Sequence, residues 1–275
     1  MSIPAERTDS REQTASAAPE ALLKRARDAR GVVTLTLNRP QAFNALSEAL
    51  LAALQRELDA LETDASARAL VLVGAGKAFC AGHDLREMRA KPSLEYYQRL
   101  FTQCSTMMLT LRRLPIPVIA RVHGIATAAG CQLVAQCDLA VASSEARFAV
   151  SGVNLGLFCS TPGVPISRNL PLKQAFEMLV TGDFLDAATA RERGLVNRVV
   201  APEALDAEVE TLLAGILRKP RVAIALGKEL FYRQSELGLA SAYEAANRTM
   251  AGNMMEAAAL EGVQAFIEKR APRWG

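Results

Sequence analysis

Two stretches, KAFCAGHDLREM at 77–88 and HGIATAAGCQLVAQCD at 123–138, decide how this chain reads. Each sets glycine and alanine where an apolar run gives way to a helix-compatible one. In the first, Gly82 lets the backbone bend tightly and leaves the N–H of His83 able to donate outward. In the second, small residues from Ala126 to Gly130 keep bulk away from a helix N-terminus, where unpaired N–H groups and the helix dipole favour developing negative charge. Each has an ordinary reading when taken singly. The first is then a strand-to-helix turn with Asp84 as cap and His83 in solvent, and the second is close helix packing that selects Gly and Ala. Found together in one domain, they predict a two-donor oxyanion hole.

Outward from these turns, strand and helix signals alternate. GVVTLTLN (31–38) alternates and is β-branched, and ALVLVGA (69–75) is nearly all apolar, as a strand buried on both faces would be. Between them, Ser47 ahead of EALLAALQRELDALE predicts an N-capped amphipathic helix. SLEYYQRLFTQCSTMMLTLRRL (93–114) predicts a long helix closed by Pro115 and Pro117, with PVIARV (117–122) as the next strand. This order predicts an α/β domain of stacked β–helix units. After about Pro202 the strands stop, and four helical patterns follow, broken near Lys219-Pro220, Leu237-Gly238 and Gly252. Three regions result: a disordered tail over 1–29, a core over 30–200, and a helical segment over 201–275. The alanine-rich faces of that last segment suit docking on the core or on a neighbouring subunit.

Composition narrows the function classes. Half of the 275 residues are apolar, enough for one large core. The 32 basic and 29 acidic side chains leave a net charge of only +3, too weak and dispersed for a nucleic-acid surface. Five cysteines without a CxxC pair, beside two histidines, read as reduced thiols in a cytoplasmic setting and argue against a metal site. No apolar run approaches the roughly 18 residues that cross a bilayer. The start lacks a positive-then-apolar signal; a mitochondrial transit peptide is the competing reading, against which Glu6, Asp9, Glu12 and Glu20 count.

Familiar catalytic motifs drop out. Gly74-Ala75-Gly76-Lys77 has the wrong spacing for a phosphate loop, with Ala78 where a hydroxyl is needed, and Phe79 stands where a dinucleotide fingerprint needs its third glycine. No GxSxG elbow is present, and two histidines leave little room for a Ser-His-Asp arrangement.

Both turns, together with NRPQAFNAL (38–46), FAVSGVNLGLFCSTPG (148–163), LVTGDFLDAATARERGLVNRVV (179–200) and EGVQAFIEKRAPRW (261–274) in that order, resemble the crotonase (enoyl-CoA hydratase/isomerase) superfamily. The look of GLFCSTPGV is nearest to its enoyl-CoA hydratase domain-containing protein 3 type. The resemblance implies a crotonase-type spiral of ββα units with a C-terminal helical trimerisation region, assembled as a trimer or a dimer of trimers. It implies an acyl-CoA thioester as partner, coenzyme A entering as part of the substrate with no permanently bound cofactor. Carried over by position, the N–H groups of His83 and Ala129 hold the thioester oxygen. Gln41, Ala42 and Phe43, the loop Ala81, Gly82, Asp84 and Leu85, and Gly130 lie along the coenzyme path. Phe266 and Lys269 reach coenzyme A across a subunit boundary; their ordinary reading is an interface phenylalanine and a solvated lysine.

The departures from that pattern concern proton transfer. Hydratases of this family hold a water between two glutamates, whose positions fall here on Gln132 and Gly152. A glutamine amide does not exchange protons near neutral pH and glycine offers nothing, so a loss of about 10²–10⁴-fold per missing group is expected. Restoring both acids, with Gln132→Glu and Gly152→Glu, is predicted to raise hydration. Cys159 lies in the loop that faces the acyl group, where it either attacks a thioester or packs. AGHDLREM and VNLGL also resemble the decarboxylating branch, whose enolate chemistry needs no base to begin, although that branch carries a tyrosine where Cys159 stands. Three functions follow: an enoyl-CoA hydratase-like protein with weak or altered hydration, a decarboxylase or other enolate-forming enzyme, and a non-catalytic acyl-CoA-binding protein.

Overall fold

A computed structural model describes residues 21–274. The chain enters with β1 (Leu23–Arg27), which pairs antiparallel with β2 (Val32–Leu37). The expected tail is therefore corrected: residues 21–29 hold an edge strand and its turn, because backbone pairing with β2 needs no apolar face on β1. The rest of the expected tail, 1–20, lies outside the described residues. Next come α1 (Glu48–Glu62), β3 (Ala69–Gly74), β4 (Ala78–Cys80), α2 (Leu85–Ala90), α3 (Leu94–Arg113), β5 (Val118–Val122) and β6 (Ile125–Thr127). After α4 (Ala129–Gln136), β7 (Leu139–Ser143) and β8 (Arg147–Ala149) follow α5 (Ser160–Asn169), α6 (Leu172–Thr181), β9 (Leu185–Asp186), α7 (Ala187–Glu192) and β10 (Arg198–Val200).

Two sheets organise these strands. The larger runs β1-β2-β3-β5-β7-β10 and the smaller β4-β6-β8-β9. Each consecutive pair, β3 with β4, β5 with β6 and β7 with β8, gives one strand to each sheet before the chain turns into helix. That repeated ββα step is the crotonase spiral. All neighbours from β2 to β10 are parallel, and both faces of the large sheet are covered, as parallel sheets require. One face meets α1 and α3. The other, with Val71, Ile119 and Val141, is sealed by Leu205, Val209 and Leu213 of α8 (Leu205–Leu217).

Local sequence explains the helices on the first face. Ser47 Oγ accepts from the Leu50 N–H and caps α1, whose Leu50, Leu51, Leu54, Leu58 and Leu61 form one buried stripe. Each such leucine contributes about 1.5–3 kcal/mol on burial. Ser93 caps α3 in the same way, and the helix stops at Leu114 ahead of Pro115.

The C-terminal segment continues with α9 (Arg221–Gln234), α10 (Leu239–Met254) and α11 (Ala257–Ile267). The break expected near Gly252 is corrected: the residue lies inside α10, and the chain turns at Met255–Glu256, since one glycine weakens a helix by only about 1 kcal/mol. A polar network docks α9. Lys228 Nζ donates to the carbonyls of Leu111 and Ile116 and to Asp138 Oδ2, the last at 2.7 Å, while the Tyr232 hydroxyl donates to Asp138 Oδ1 at 2.7 Å. Phe231, Tyr243, Met250, Met255 and Phe266 stand exposed on the outer faces of this segment. No helix of the described residues is long and apolar enough to cross a membrane.

Candidate active site

The β4–α2 and β6–α4 turns meet. Gly82, at φ +92°, bends the chain so closely that an added Cβ would stand 3.2 Å from the Ala129 nitrogen. The Leu46 N–H donates to the Gly82 carbonyl and the Asp84 N–H to the Leu46 carbonyl. These bonds pin the turn on either side of His83. Ala129 is the first residue of α4, so its N–H has no acceptor inside the helix. Among the described residues, neither the His83 nor the Ala129 amide donates within the chain. Between them in the fold, Ala128 holds φ +48° and ψ −119°, a backbone state costing an L-residue of the order of 1–3 kcal/mol. Its own N–H is anchored to the Ala149 carbonyl at 2.9 Å.

A cavity of about 390 Å³ opens beside the two amides. Ala81, His83 and Leu85 line it from the first turn, Ala128 and Ala129 from the second, and Gly152 and Cys159 from the segment after β8. Among the described residues, no Asp, Glu, Lys or Arg reaches its wall. Met88, Phe101, Leu155, Leu157 and Phe158 complete an apolar lining that sequence reasoning passed over. Phe101 reads along the chain as another apolar position of α3, and only the approach of α3 to the β4–α2 turn reveals its second role.

His83 is not in solvent. Its ring packs edge-on against Phe101 at 5.5 Å between centroids. Both ring nitrogens are closed off from water, and the Leu46 backbone lies beside the ring at a geometry short of a full hydrogen bond, with no other partner among the described residues. Burial pushes its pKa down to about 4, because a low-dielectric surrounding disfavours the charged form. The imidazole is neutral at physiological pH.

The two positions expected for glutamates differ sharply. Gln132 is 3% exposed, one turn along α4 from Ala129, and its Oε1 has no hydrogen-bond partner; it stands behind the wall rather than on it. Gly152 is on the wall but has no spare room. Its N–H donates to Cys159 Sγ at 3.2 Å, and a Cβ at 152 would fall 2.7 Å from that sulfur and against the Leu157 carbonyl. The expectation that Gly152→Glu would restore an acid is therefore corrected: the Cys159 thiol fills the space its side chain would need. Burial pushes the Cys159 thiol up, so it is protonated near neutral pH, packed, and bonded to no basic side chain.

Asp84 is occupied elsewhere. It caps α2 through the N–H groups of Arg86 and Glu87, and its other oxygen accepts from Arg39 at 2.8 Å. The Arg39 guanidinium holds its carboxyl below the usual carboxylate range. Gln41 and Ala42 sit on the short turn Pro40–Ala42, with Phe43 next at φ +50°. The Ala81 N–H donates to the Phe43 carbonyl at 3.0 Å, which lays this segment alongside the Ala81–Leu85 loop. Asn44, missed from sequence, secures it: the buried side chain donates to the carbonyls of Ala75, Ala78 and Phe79. The neighbouring PQAFNAL marks a turn without showing what the asparagine grips.

Of the ten expected coenzyme contacts, Ala81 and Leu85 line the cavity and the other eight do not, Gly130, Phe266 and Lys269 among them. Gly130 is where α4 presses on β4, an added Cβ colliding with the Cys80 carbonyl; its place is explained by packing. Phe266 is 85% exposed near the end of α11, and Lys269 lies beyond it at φ +56°. All five cysteines are buried free thiols.

The family model for enoyl-CoA hydratase/isomerase matches residues 27–275. The enoyl-CoA hydratase domain-containing protein 3, mitochondrial, of Xenopus laevis is 43% identical over 244 residues, covering 89% of this chain and 83% of the relative. Its Homo sapiens counterpart is 41% identical over 251 residues, covering 90% and 82%. Among solved structures, an enoyl-CoA hydratase of Mycobacterium smegmatis is 67% identical with a TM-score of 0.92, over 93% of this chain and all but 1% of that one at 99%. The human enoyl-CoA hydratase domain-containing protein 3 is 39% identical with a TM-score of 0.89, over 92% and 100%. A family-model match over residues 27–275, with relatives 43% and 41% identical over 89% and 90% of this chain, places this chain in the enoyl-CoA hydratase/isomerase family.

Proposed function

We propose that this chain binds an acyl-CoA thioester with its carbonyl oxygen between the N–H groups of His83 and Ala129, and that its hydration of enoyl thioesters is slow or altered. One observation carries the reading: two amides without acceptors among the described residues belong to turns that meet at a cavity whose wall has no charged side chain. Donors fixed by backbone cost no reorganisation as charge develops on the oxygen, and one such donor is typically worth about 10²–10³-fold in rate. Coenzyme A enters and leaves as part of the substrate.

The cavity wall bears no carboxylate, so polarisation is supplied without the paired acids that activate water. That favours a second reading, loss of CO₂ from a malonyl-type thioester to an enolate held by the same two amides. Incubating the protein separately with crotonyl-CoA and methylmalonyl-CoA, and following water addition and CO₂ release, decides between them. Binding near micromolar, about −8 kcal/mol, with no turnover of either leaves an acyl-CoA-binding protein. No binding of either thioester overturns the reading altogether.

The exposed apolar residues of α9, α10 and α11 suit burial between copies as a trimer or a dimer of trimers. Phe266 and Lys269 are then placed to reach coenzyme A bound in a neighbouring copy. Sedimentation with and without Phe266→Glu tests that arrangement. Relatives named as mitochondrial support the mitochondrial alternative to a cytoplasmic location, and five free thiols suit either reducing compartment.

A further inference from the structure

We propose that the imidazole of His83 is the catalytic acid–base group of this cavity, performing the proton transfer for which the family's glutamates are absent. This rests on the cavity being an acyl thioester site. The argument begins with what the wall can offer. Its side chains that exchange protons at accessible pH reduce to His83 and Cys159. The Cys159 sulfur already accepts the Gly152 N–H, and Thr127, another wall residue, donates its hydroxyl to the Ala81 carbonyl at 3.1 Å.

His83 differs from both. Its two ring nitrogens are shut away from water and, among the described residues, lack a well-formed hydrogen-bond partner, with the Leu46 backbone beside the ring; such a condition is rare in folded proteins and calls for an explanation. A neutral imidazole offers one acceptor and one donor, and rotation of the ring brings them from their enclosed position to the cavity as substrate binds. The same residue carries one of the two amides assigned to the thioester oxygen. Its ring therefore hangs from the point at which the carbonyl is held. Hydrogen bonds of this kind are commonly loose in the empty enzyme and close in the substrate complex.

The surroundings select the base form. Phe101 of α3 packs against the ring, and Tyr97 stacks behind Phe101. Asp84, next along the chain, is held by Arg39. Cys159, also on the wall, is protonated. No charged side chain lines the cavity to stabilise an imidazolium in the empty site. The ring is therefore neutral down to a pH near 4.

For addition of water to a 2-enoyl thioester, the steps balance. The unprotonated ring nitrogen takes a proton from water as its oxygen bonds to C3. The C2–C3 π pair shifts into the thioester, whose oxygen becomes an enolate held by the two amides. The imidazolium then returns the proton to C2, the N–H breaks, and the ring is neutral again with one water added.

Substitution at 83 keeps the peptide N–H, so it separates side chain from backbone. Wild type, His83→Ala and His83→Gln are compared for crotonyl-CoA binding by calorimetry and for hydration across pH 3.5–8. Both variants are expected to bind crotonyl-CoA within about threefold of wild type and to hydrate it roughly 10²-fold more slowly. The wild-type kcat/KM falls on the acid side as the ring protonates near pH 4, and that fall disappears in the variants. His83→Gln, which keeps hydrogen bonding but not proton exchange, covers the case in which His83→Ala does not fold. Hydration by either variant within threefold of wild type overturns the proposal, as does a wild-type protein that binds crotonyl-CoA but never hydrates it. A wild-type protein that does not bind crotonyl-CoA overturns the reading of the cavity itself.

Discussion

Asp138 and His83 are both buried titratable groups of one core, and they are treated in opposite ways. Around Asp138 every donor has its acceptor: Lys228 directs its ammonium at three oxygens, and Asp138 receives Lys228, Tyr232 and the Val118 N–H. Around the cavity, His83 and Gln132 leave polar atoms without partners, and two backbone amides point at nothing within the chain. A closed network fixes one helix against the core. An open one keeps valences for something that arrives later.

The contrast can be broken most severely at the closed end. Asp138→Ala strands the Lys228 ammonium, whose side chain is only 7% exposed, and a loss of about 3–5 kcal/mol in urea denaturation is expected, the cost of breaking a buried pair. At the open end, Gln132→Glu alone adds an ionisable group one turn from Ala129. Because that side chain stands behind the cavity wall, the change in crotonyl-CoA hydration is expected to fall well short of the 10²-fold or more that a general acid or base supplies. A rise of that size in a folded variant would instead bring the Gln132 side chain to the reacting atoms.

Smaller effects sharpen the comparison. Gly152→Ala forces Cβ to within 2.7 Å of Cys159 Sγ, and a loss of about 1–3 kcal/mol is expected on overpacking. The same change in a Cys159→Ala background should cost less, read from thermal melts of the two pairs. The smallest effect is at Asp84, whose carboxyl Arg39 holds below its ordinary value. A depressed folded value stabilises above the unfolded value, near 3.8, and that contribution is lost as pH falls from there through the folded value. Asp84→Asn keeps a capping oxygen but not the ion pair. It should lower stability by up to about 1 kcal/mol at pH 6 and by less at pH 3, measured as denaturation midpoints at both.

Much of the fold was legible along the chain because its rules are local. Ser47 announced its cap, the leucines of α1 repeated at helical spacing, and Pro115 ended α3 where its ring forbids continuation. The edge strand β1 was not legible, since LKRAR carries no apolar alternation and gains its structure from the ladder with β2. Gly252 misled because a helix-breaking tendency of about 1 kcal/mol yields to packing around it.

The candidate site divides along the same line. The sequence by itself determined which turns are free of bulk, that no carboxylate stands at 132 or 152, and that the chain resembles one family throughout. Those are matters of residue identity and order. Only the tertiary structure decided that the turns at Gly82 and Ala128–Ala129 meet, that Asp84 is held by Arg39, that Cys159 fills the space beside Gly152, and that the His83 ring nitrogens are enclosed. These depend on distances between segments far apart in the chain, and burial, charge pairing and steric room exist only once those segments have met.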